Sequence, residues 1–288
     1  MWSRKAVWTN KMLAVAGAAA VVAACSPPQP VWGEQINPPD NVIHTSSVGM
    51  GTLKPGDSLV NQGGIVGENP SASGITGLWL QNGGTALNSG AISLSGNGGN
   101  VYGVFCDAGT DGNVVNAGSI AVTNVGGSDT DVATGILLIQ GGTASNTGSI
   151  MACHKYNAYG ISTAGASEIV NTGRITAVSE EGKAYGIQMH STGTVSNFGV
   201  INAVGQSGHE LFLNGGSNVT VKTWAVELRD FMNATSRPFF VSNSSTLDFS
   251  GGQLILRPGA AGEFALGGEY KVTDMVAFAS SDPDLLGT

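Results

Sequence analysis

The stretch that decides the fold is Asn146-Thr-Gly148-Ser-Ile150, because the same N-x-G-x-I pattern recurs along the chain at a nearly constant interval. Successive asparagines of this pattern are 27, 28, 30, 25 and 26 residues apart. Self-similarity at such a period is typical of repeat architectures, in which each unit packs only against its neighbours. The six copies begin at Asn61, Asn88, Asn116, Asn146, Asn171 and Asn197.

A second pattern follows each copy, a glycine and then alternating apolar residues, as in Gly77-Leu-Trp-Leu80 and Gly135-Ile-Leu-Leu138. A small glycine turn such as Gly83-Gly84 comes next. Successive side chains of a strand point to opposite faces, so these patterns predict short strands with one apolar face each. We therefore predict a unit of two short strands with a tight turn between them, closed by a variable segment.

Stacking the units would turn each apolar position into a column that no single unit can bury alone. The asparagines should then form a ladder whose side-chain amides hydrogen-bond from coil to coil. One inward column is predicted at Ile65, Ile92, Ile120, Ile150, Ile175 and Ile201. A second is predicted at Leu78, Val104, Ile136, Ile161, Ile187 and Leu211.

These features predict an all-β fold, a right-handed parallel β-helix (solenoid) of about six coils, roughly 30 Å long at about 4.8 Å per coil. A leucine-rich horseshoe has a similar period, but it needs an L-x-x-L-x-L frame that this chain lacks. Helical repeats conflict with the glycine content, which is 44 of 288 residues, and with the absence of a 3.6-residue period. Residues 222–288 break the pattern and are predicted to form a β-rich C-terminal cap over the end of the stack.

The N-terminal residues predict export. Arg4, Lys5 and Lys11 precede an apolar stretch at residues 12–24, which is too short to span a bilayer and fits a signal-peptide core. The stretch ends in Ala23-Ala24-Cys25, which resembles the bacterial lipobox. Cleavage is then expected between Ala24 and Cys25, with lipid attached to Cys25. An ordinary signal peptide followed by a chance cysteine is the alternative.

The sequence divides into four segments on this basis. Residues 1–24 are predicted to be a lipoprotein signal peptide, 25–49 a proline-rich tether, 50–221 the β-helix repeats and 222–288 the cap or end-of-passenger segment. The chain has 12 basic and 20 acidic residues, and three of the bases lie in the leader, so the processed chain would carry a net charge of −11. An acidic surface disfavours nucleic acid and anionic lipid as partners.

The repeat resembles the passenger regions of bacterial autotransporters, in which N-x-G-x-I is followed by Y-G-I, as at Tyr159-Gly-Ile161 and Tyr185-Gly-Ile187. The resemblance covers about residues 55–275 and implies a β-helix displayed on the outer membrane. A subset of that family carries a lipobox, in agreement with Cys25. Such proteins end in a membrane barrel, and residues 1–288 contain no barrel-like run of alternating strands, so a truncated remnant of a full-length autotransporter is one alternative.

Candidate chemical sites in the sequence are few. Cys106 and Cys153 fall in different predicted columns, which argues against a disulfide, and Cys153-His154 has no evident third group for nucleophilic catalysis. The histidines lack zinc-ligand spacing, and no cofactor is predicted. Calcium is an alternative at the acidic turns, with the candidate carboxylates Asp107, Asp111, Asp129 and Asp131.

One outward position favours binding over catalysis. In the second predicted strand it holds Trp79, Phe105 and Leu137 in successive units, and an apolar stripe of this kind often marks a contact site. We therefore expect a non-catalytic, adhesin-like or structural protein of the outer membrane, attached by its N-terminal lipid on the cell surface or on the periplasmic face. Its expected partners are host-surface or cell–cell ligands. A carbohydrate-active β-helix enzyme, either a lyase or a hydrolase, is the alternative.

Overall fold

The computed structural model describes residues 34–51, 57–70, 74–81, 83–107, 112–228, 237–258 and 275–278. The signal peptide, Cys25 and Asp111 lie outside these residues. The described part is built from β-strands that pair in parallel, and it contains no helix long and apolar enough to cross a membrane. The predicted all-β parallel solenoid is confirmed.

Three parallel sheets run along the stack, and the strands β1–β26 are numbered in chain order. The asparagine sheet contains β1 (Gln35–Asn37), β4 (Ser58–Asn61), β7 (Gly84–Asn88), β10 (Gly112–Asn116), β13 (Gly141–Asn146), β16 (Ala166–Asn171), β19 (Gly193–Asn197), β22 (Asn218–Leu228), β24 (Thr246–Asp248) and β25 (Gln253–Pro258). The isoleucine sheet contains β2 (Val42–Thr45), β5 (Gly64–Asn69), β8 (Ala91–Gly96), β11 (Ser119–Asn124), β14 (Ser149–His154), β17 (Arg174–Ser179) and β20 (Val200–Val204). The aromatic sheet contains β3 (Val48–Gly51), β6 (Ile75–Leu80), β9 (Val101–Cys106), β12 (Ala133–Leu138), β15 (Asn157–Thr163), β18 (Lys183–Met189), β21 (Ser207–Leu213), β23 (Phe239–Val241) and β26 (Val276–Phe278).

Each coil contributes one strand to each sheet, so the unit has three strands where the sequence pattern predicted two. The additional strand is the one that ends at the asparagine. Its signal was the buried apolar residue two positions before that asparagine, and these residues form their own inward column: Leu59, Ala86, Val114, Ala144, Ile169 and Val195. Within the described residues there are seven complete coils, because the isoleucine sheet has 7 strands, and the other two sheets continue beyond them.

The stack begins earlier than the repeat pattern indicated. β1, β2 and β3 form a first coil that pairs in register with the next one, as in Asn37↔Asn61 and Ile43↔Ile65. Residues 35–49 of the predicted tether therefore belong to the solenoid. The N-x-G-x-I pattern is hidden there because two extra residues lengthen the corner, where Asn41 supplies the carbonyl that Gly63 supplies in the following coil.

The predicted inward columns are confirmed. The six isoleucines of the pattern are at most 5% exposed, and they pair directly with one another, as in Ile120↔Ile150. Full burial of such a side chain contributes about 1.5–3 kcal/mol relative to an exposed one. Glycine is required where coils approach closely: a Cβ on Gly118 would lie 2.0 Å from the Gly90 carbonyl oxygen, and one on Gly135 would lie 2.3 Å from a methyl group of Ile150.

The asparagine ladder is also confirmed, with Asn37 as a seventh member. Each amide donates to the Oδ1 of the next asparagine at 2.7–2.8 Å. The other N–H of the central members donates to a backbone carbonyl of the next coil, as from Asn116 to Ser149 at 3.2 Å. Both ends are closed, since Asn41 donates to Asn37 at 2.7 Å and Asn197 donates to the Ala225 carbonyl at 3.1 Å.

The described C-terminal strands extend the stack. β23, β24, β25 and β26 continue the asparagine and aromatic sheets in parallel. A register shift in β22 places Trp224 opposite Asn197, where the next ladder asparagine would stand. Trp224 is fully buried, packs edge-on against Phe239 at 5.2 Å, and donates its indole N–H to Glu210 at 2.9 Å. This tryptophan ends the ladder, while the buried core continues past it through Phe239 and Val276.

Candidate interaction surface

The outward side of the aromatic sheet carries two neighbouring columns of large side chains, which together we call the aromatic face. The backbone register that aligns them follows from the parallel pairing of the strands. The first column is Trp79, Phe105, Leu137, Ser162, Gln188, Phe212 and Phe240. The second is Thr76, Tyr102, Thr134, Tyr159, Tyr185 and His209.

The rings of the aromatic face pack in two groups. In the first group Phe105 stacks on Tyr102 at 5.0 Å and on Trp79 at 6.2 Å. In the second group, Tyr185 stacks on Phe212 at 4.1 Å with an interplanar angle of 10°, and Phe212 stacks on Phe240 at 4.9 Å with an angle of 9°. Because near-parallel rings cover one another's faces, the groups present mainly ring edges, which carry the positive part of the ring quadrupole.

Between the two ring groups the face is polar but internally paired. Ser162 donates its hydroxyl to the Oε1 of Gln188 at 3.0 Å, and both side chains are buried. The ring groups therefore form two apolar patches separated by a closed polar pair.

Burial alters the ionisation of the groups in this face. Burial, with a smaller contribution from Tyr185, raises the pKa of Tyr159 to about 12. Burial also raises the pKa of Tyr185, although its hydrogen bond with Ser207 acts in the opposite direction. The pKa of His209 is lowered by burial, partly offset by the Arg237 carbonyl that lies 2.7 Å from Nδ1. The face therefore carries no net charge of its own at neutral pH.

The predicted stripe of Trp79, Phe105 and Leu137 forms a continuous column, and all three side chains are half-buried. Sequence reasoning missed the second column. Its signal was the tyrosine of the Y-G-I pattern, which lies three positions before the first column in the same strand. The strand register skips the glycine between the two positions, so both side chains lie on the same side of the sheet. Tyr102 and Tyr159 are half-buried there, whereas Tyr185 and His209 are only 3% exposed.

The variable segments form a second candidate surface at the corner between the isoleucine and aromatic sheets. We call residues 97–100, 125–132, 155–156, 180–182 and 205–206 the corner loops. A column of buried polar side chains supports them from the last position of the isoleucine strands. Asn124 accepts from the Gly98 N–H at 2.9 Å, and Ser179 donates to the Tyr156 carbonyl at 2.8 Å.

The structure separates the candidate calcium carboxylates. Asp107 follows the end of β9, whereas Asp131 precedes the start of β12. These strands pair along their full length, so the two residues lie at opposite ends of a six-residue strand, about 20 Å apart at ~3.3 Å per residue. Asp131 instead accepts the Ser128 N–H at 2.7 Å, and Asp129 is exposed. Among the described residues no three His, Cys, Asp or Glu side chains converge on a metal-sized site.

The two described cysteines are free and lie in different sheets. Cys106 is 2% exposed in an inward column beside Leu80 and Leu138, as predicted. Burial raises its pKa to about 12, which suppresses the reactive thiolate. Cys153 lies on the outward side of β14 opposite Thr123, and burial also raises its pKa.

Two shallow depressions lie at the N-terminal end of the solenoid. One of about 410 Å³ lies beside Tyr102 and Thr76, and one of about 540 Å³ lies beside His44 and Glu68. Both are open grooves rather than enclosed pockets. The two continuous surfaces, the aromatic face and the corner loops, are therefore the better candidates for a functional site.

Comparison with known proteins adds no further identification. No protein-family model matches the chain, and neither the curated proteins nor the solved structures include a significant match. The autotransporter resemblance therefore rests on the repeat motifs and on the solenoid that they form.

Proposed function

We propose that this chain is a non-catalytic, lipid-anchored scaffold of the bacterial outer membrane that binds another surface through its aromatic face, as an adhesin-like or structural protein. The observation that carries the proposal is the pair of aligned outward columns, because a strand face that needed only solubility would carry polar side chains there. The half-buried rings of Phe105 and Phe212 are accessible to a partner, and aromatic anchors often dominate protein contacts.

The other outward faces support a scaffold role. On the asparagine and isoleucine sheets, the outward positions carry mainly Ser, Thr, Ala and Val. The ion pair there, Lys222–Glu168, is exposed and 3.4 Å long. Exposed pairs of this kind contribute little to stability. These faces favour a rod that keeps the aromatic face and the corner loops at a fixed distance from one another.

Ring geometry favours a protein or cell-surface contact over a sugar-cleaving cleft. A glycosidase needs paired carboxylates about 5–9.5 Å apart, whereas the aromatic face offers ring edges with a neutral Ser162–Gln188 pair between them. The carbohydrate-active alternative remains a direct target of the experiments below.

Anchoring and binding are tested separately. Cells that produce the full chain should incorporate labelled palmitate into it, and Cys25→Ser should abolish the label. The same cells should adhere to epithelial monolayers or to one another more strongly than cells that produce Phe105→Ala or Phe212→Ala. Val115→Ala, on the outward side of β10, is the matched control and should adhere like the wild type.

Two results would overturn the proposal. The first is equal adhesion by wild-type, Phe105→Ala and Phe212→Ala cells at equal surface amounts. The second is sustained turnover of polygalacturonate or alginate by the purified protein that is lost on mutation of one Asp or Lys. That outcome would replace the binding proposal by the enzymatic alternative.

A further inference from the structure

His154 occupies an unusual place among the residues that support the corner loops. It stands at the last position of β14, in register with Asn124 and Ser179, and is 3% exposed. Its Nδ1 accepts two backbone N–H groups, from Tyr156 at 2.9 Å and from Asn157 at 2.7 Å. Only an unprotonated Nδ1 can accept, so the neutral ring carries its proton on Nε2.

The turn that His154 fixes also supports the longest corner loop, residues 125–132. The Asn157 side chain donates to the backbone carbonyls of Asp129 and Asp131, the latter at 3.1 Å. Loop 125–132 is otherwise exposed over much of its length, including Val125 at 66%. The backbone of Asn157 is thus fixed by His154 while its side chain fixes the loop, which links the ring to the loop through one residue.

The surroundings of the ring oppose its protonation. Burial lowers the pKa of His154, and the nearby Gly126 carbonyl and Asp131 carboxylate offset this only in part. Nε2 is itself buried without a well-formed hydrogen bond among the described residues. In the turn after His154, the centroid of the Tyr156 ring lies 6.0 Å from the centroid of the His154 ring. Lys155 in the same turn forms an ion pair with Glu181, which lies in the turn after β17. Asp131 is thus the one described carboxylate that acts on the ring directly.

We propose that His154 is an acid-operated latch, which holds corner loop 125–132 closed when neutral and releases it when Nδ1 takes up a proton. The proton occupies the lone pair that both backbone N–H groups use, and it then points an N–H at two other N–H donors. Turn 155–157 must rearrange, and the two Asn157 contacts to the loop are lost with it. The latch concerns the corner loops and is independent of what binds the aromatic face.

The direction with pH follows from linkage. An unfolded or opened histidine protonates at about its ordinary value of 6.5, whereas the latched ring protonates lower. The closed state is therefore fully favoured above about pH 6.5 and loses stability as the pH falls below it. Asn124 performs the same supporting role one coil earlier with an amide, which cannot titrate.

That neighbouring asparagine supplies the test. Amide hydrogen exchange of the full chain should be measured from pH 7.5 to 5, with correction for the intrinsic exchange rate. In the wild type we expect residues 125–132, 156 and 157 to lose protection by about tenfold or more across this range. His154→Asn keeps an acceptor at this position and should remove the pH dependence. His190→Asn, which replaces an exposed histidine, should leave it unchanged.

The outcomes separate the latch from general acid loosening. Equal loss of protection across all three sheets, or a pH response that persists in His154→Asn, would overturn the proposal. Should His154→Asn lower stability too far, the carbon–proton NMR titration of His154 in the wild type decides the matter. Titration at or above 6.5, or without a matching change at the Asn157 amide, refutes the latch.

Discussion

Replacement of Asn116 by alanine tests the ladder that holds the coils in register. Asn116 stands near the middle of the stack and is fully buried. Its Oδ1 accepts from Asn88 at 2.8 Å, and its Nδ2 donates to Asn146 at 2.7 Å and to the Ser149 carbonyl at 3.2 Å. Alanine removes all three bonds and provides no replacement donor or acceptor.

The size of the destabilisation follows from the bonds lost and from the buried polar groups that lose their partners. Each of the three bonds contributes about 1 kcal/mol net, and a buried acceptor without a partner costs about 1–3 kcal/mol. The Oδ1 of Asn146 loses its donor from the preceding coil, whereas Asn88 still donates to the Ser119 carbonyl at 3.2 Å. We therefore expect a loss of about 4–6 kcal/mol in the free energy of unfolding.

The assay is equilibrium urea unfolding of the full chain, followed by far-ultraviolet circular dichroism. The midpoint for Asn116→Ala should fall by about 1 M or more. The matched control is Asn113→Ala in the same strand, where an exposed asparagine accepts one bond from Thr143 at 2.6 Å. That change should cost about 0.5 kcal/mol or less. Equal midpoints for the two variants would refute the argument that the ladder stabilises the stack.

An aspartate at the same position makes the test sharper. Asn116→Asp keeps the shape, but an ionised carboxylate has no proton to donate to Asn146 and is buried. Its pKa should therefore be raised in the folded state. A group of this kind contributes its full stability below its unfolded pKa of about 3.9 and loses that contribution as the pH rises from there through its raised folded pKa. Asn116→Asp should be less stable at pH 7 than at pH 4.5, relative to the wild type at each pH.

The remaining predictions concern close packing, thiol reactivity and the tryptophan at the end of the asparagine ladder. Gly118→Ala places a Cβ 2.0 Å from a backbone oxygen of the preceding coil. It should lower the free energy of unfolding in urea by about 3 kcal/mol or more. The control is Gly215→Ala, whose Cβ would meet only one atom at 3.5 Å and should change the urea midpoint little. Iodoacetamide at pH 8 should label Cys153 slowly and Cys106 only after denaturation, as mass spectrometry of the peptides will show, because burial raises the pKa of Cys106 to about 12. Trp224→Phe keeps an aromatic side chain but loses the indole hydrogen bond to Glu210 and part of the buried volume, so the thermal midpoint should fall with a loss of about 1–3 kcal/mol or more. An unchanged midpoint would mean that neither the bond nor the packing contributes.

Most of the architecture could be predicted because aligned copies of the repeat show which residues of neighbouring coils pair with one another. The isoleucine and asparagine columns follow directly from aligning the N-x-G-x-I copies, and the structure places them as aligned. The strand that ends at the asparagine was missed because its outward positions vary and its inward positions include small residues such as Ala86 and Ala144. Alternation is hard to recognise when one of its two classes is alanine.

The first coil was missed for a different physical reason. Its corner contains Pro38 and Pro39, and prolines in sequence favour an extended linker. Here the extra corner length leaves the strand register intact on both sides, so a corner insertion hides the pattern without changing the fold. The same tolerance explains why the interval between asparagines varies from 25 to 30 residues.

The candidate surfaces were only partly predictable. The column of Trp79, Phe105 and Leu137 is visible as an alternation within single strands. The stacking of Tyr185 on Phe212 depends on the twist and spacing of neighbouring coils, and no single-strand pattern contains that information. The role of His154 was hidden for a similar reason, since its partners are backbone N–H groups, and these leave no mark in the sequence.

A ladder closed at both ends has a consequence for how such a gene can change its length. Excision of residues 117–146 would join Asn116 to Thr147 and give a shorter rod in which Asn116 meets Asn171 instead of Asn146. Every amide would again find a neighbour, and both terminal closures would be untouched. Unequal recombination between repeats can therefore add or delete one full period and keep the ladder continuous, whereas a cut that ends inside a strand would shift the register of that strand and leave its asparagine without a neighbour.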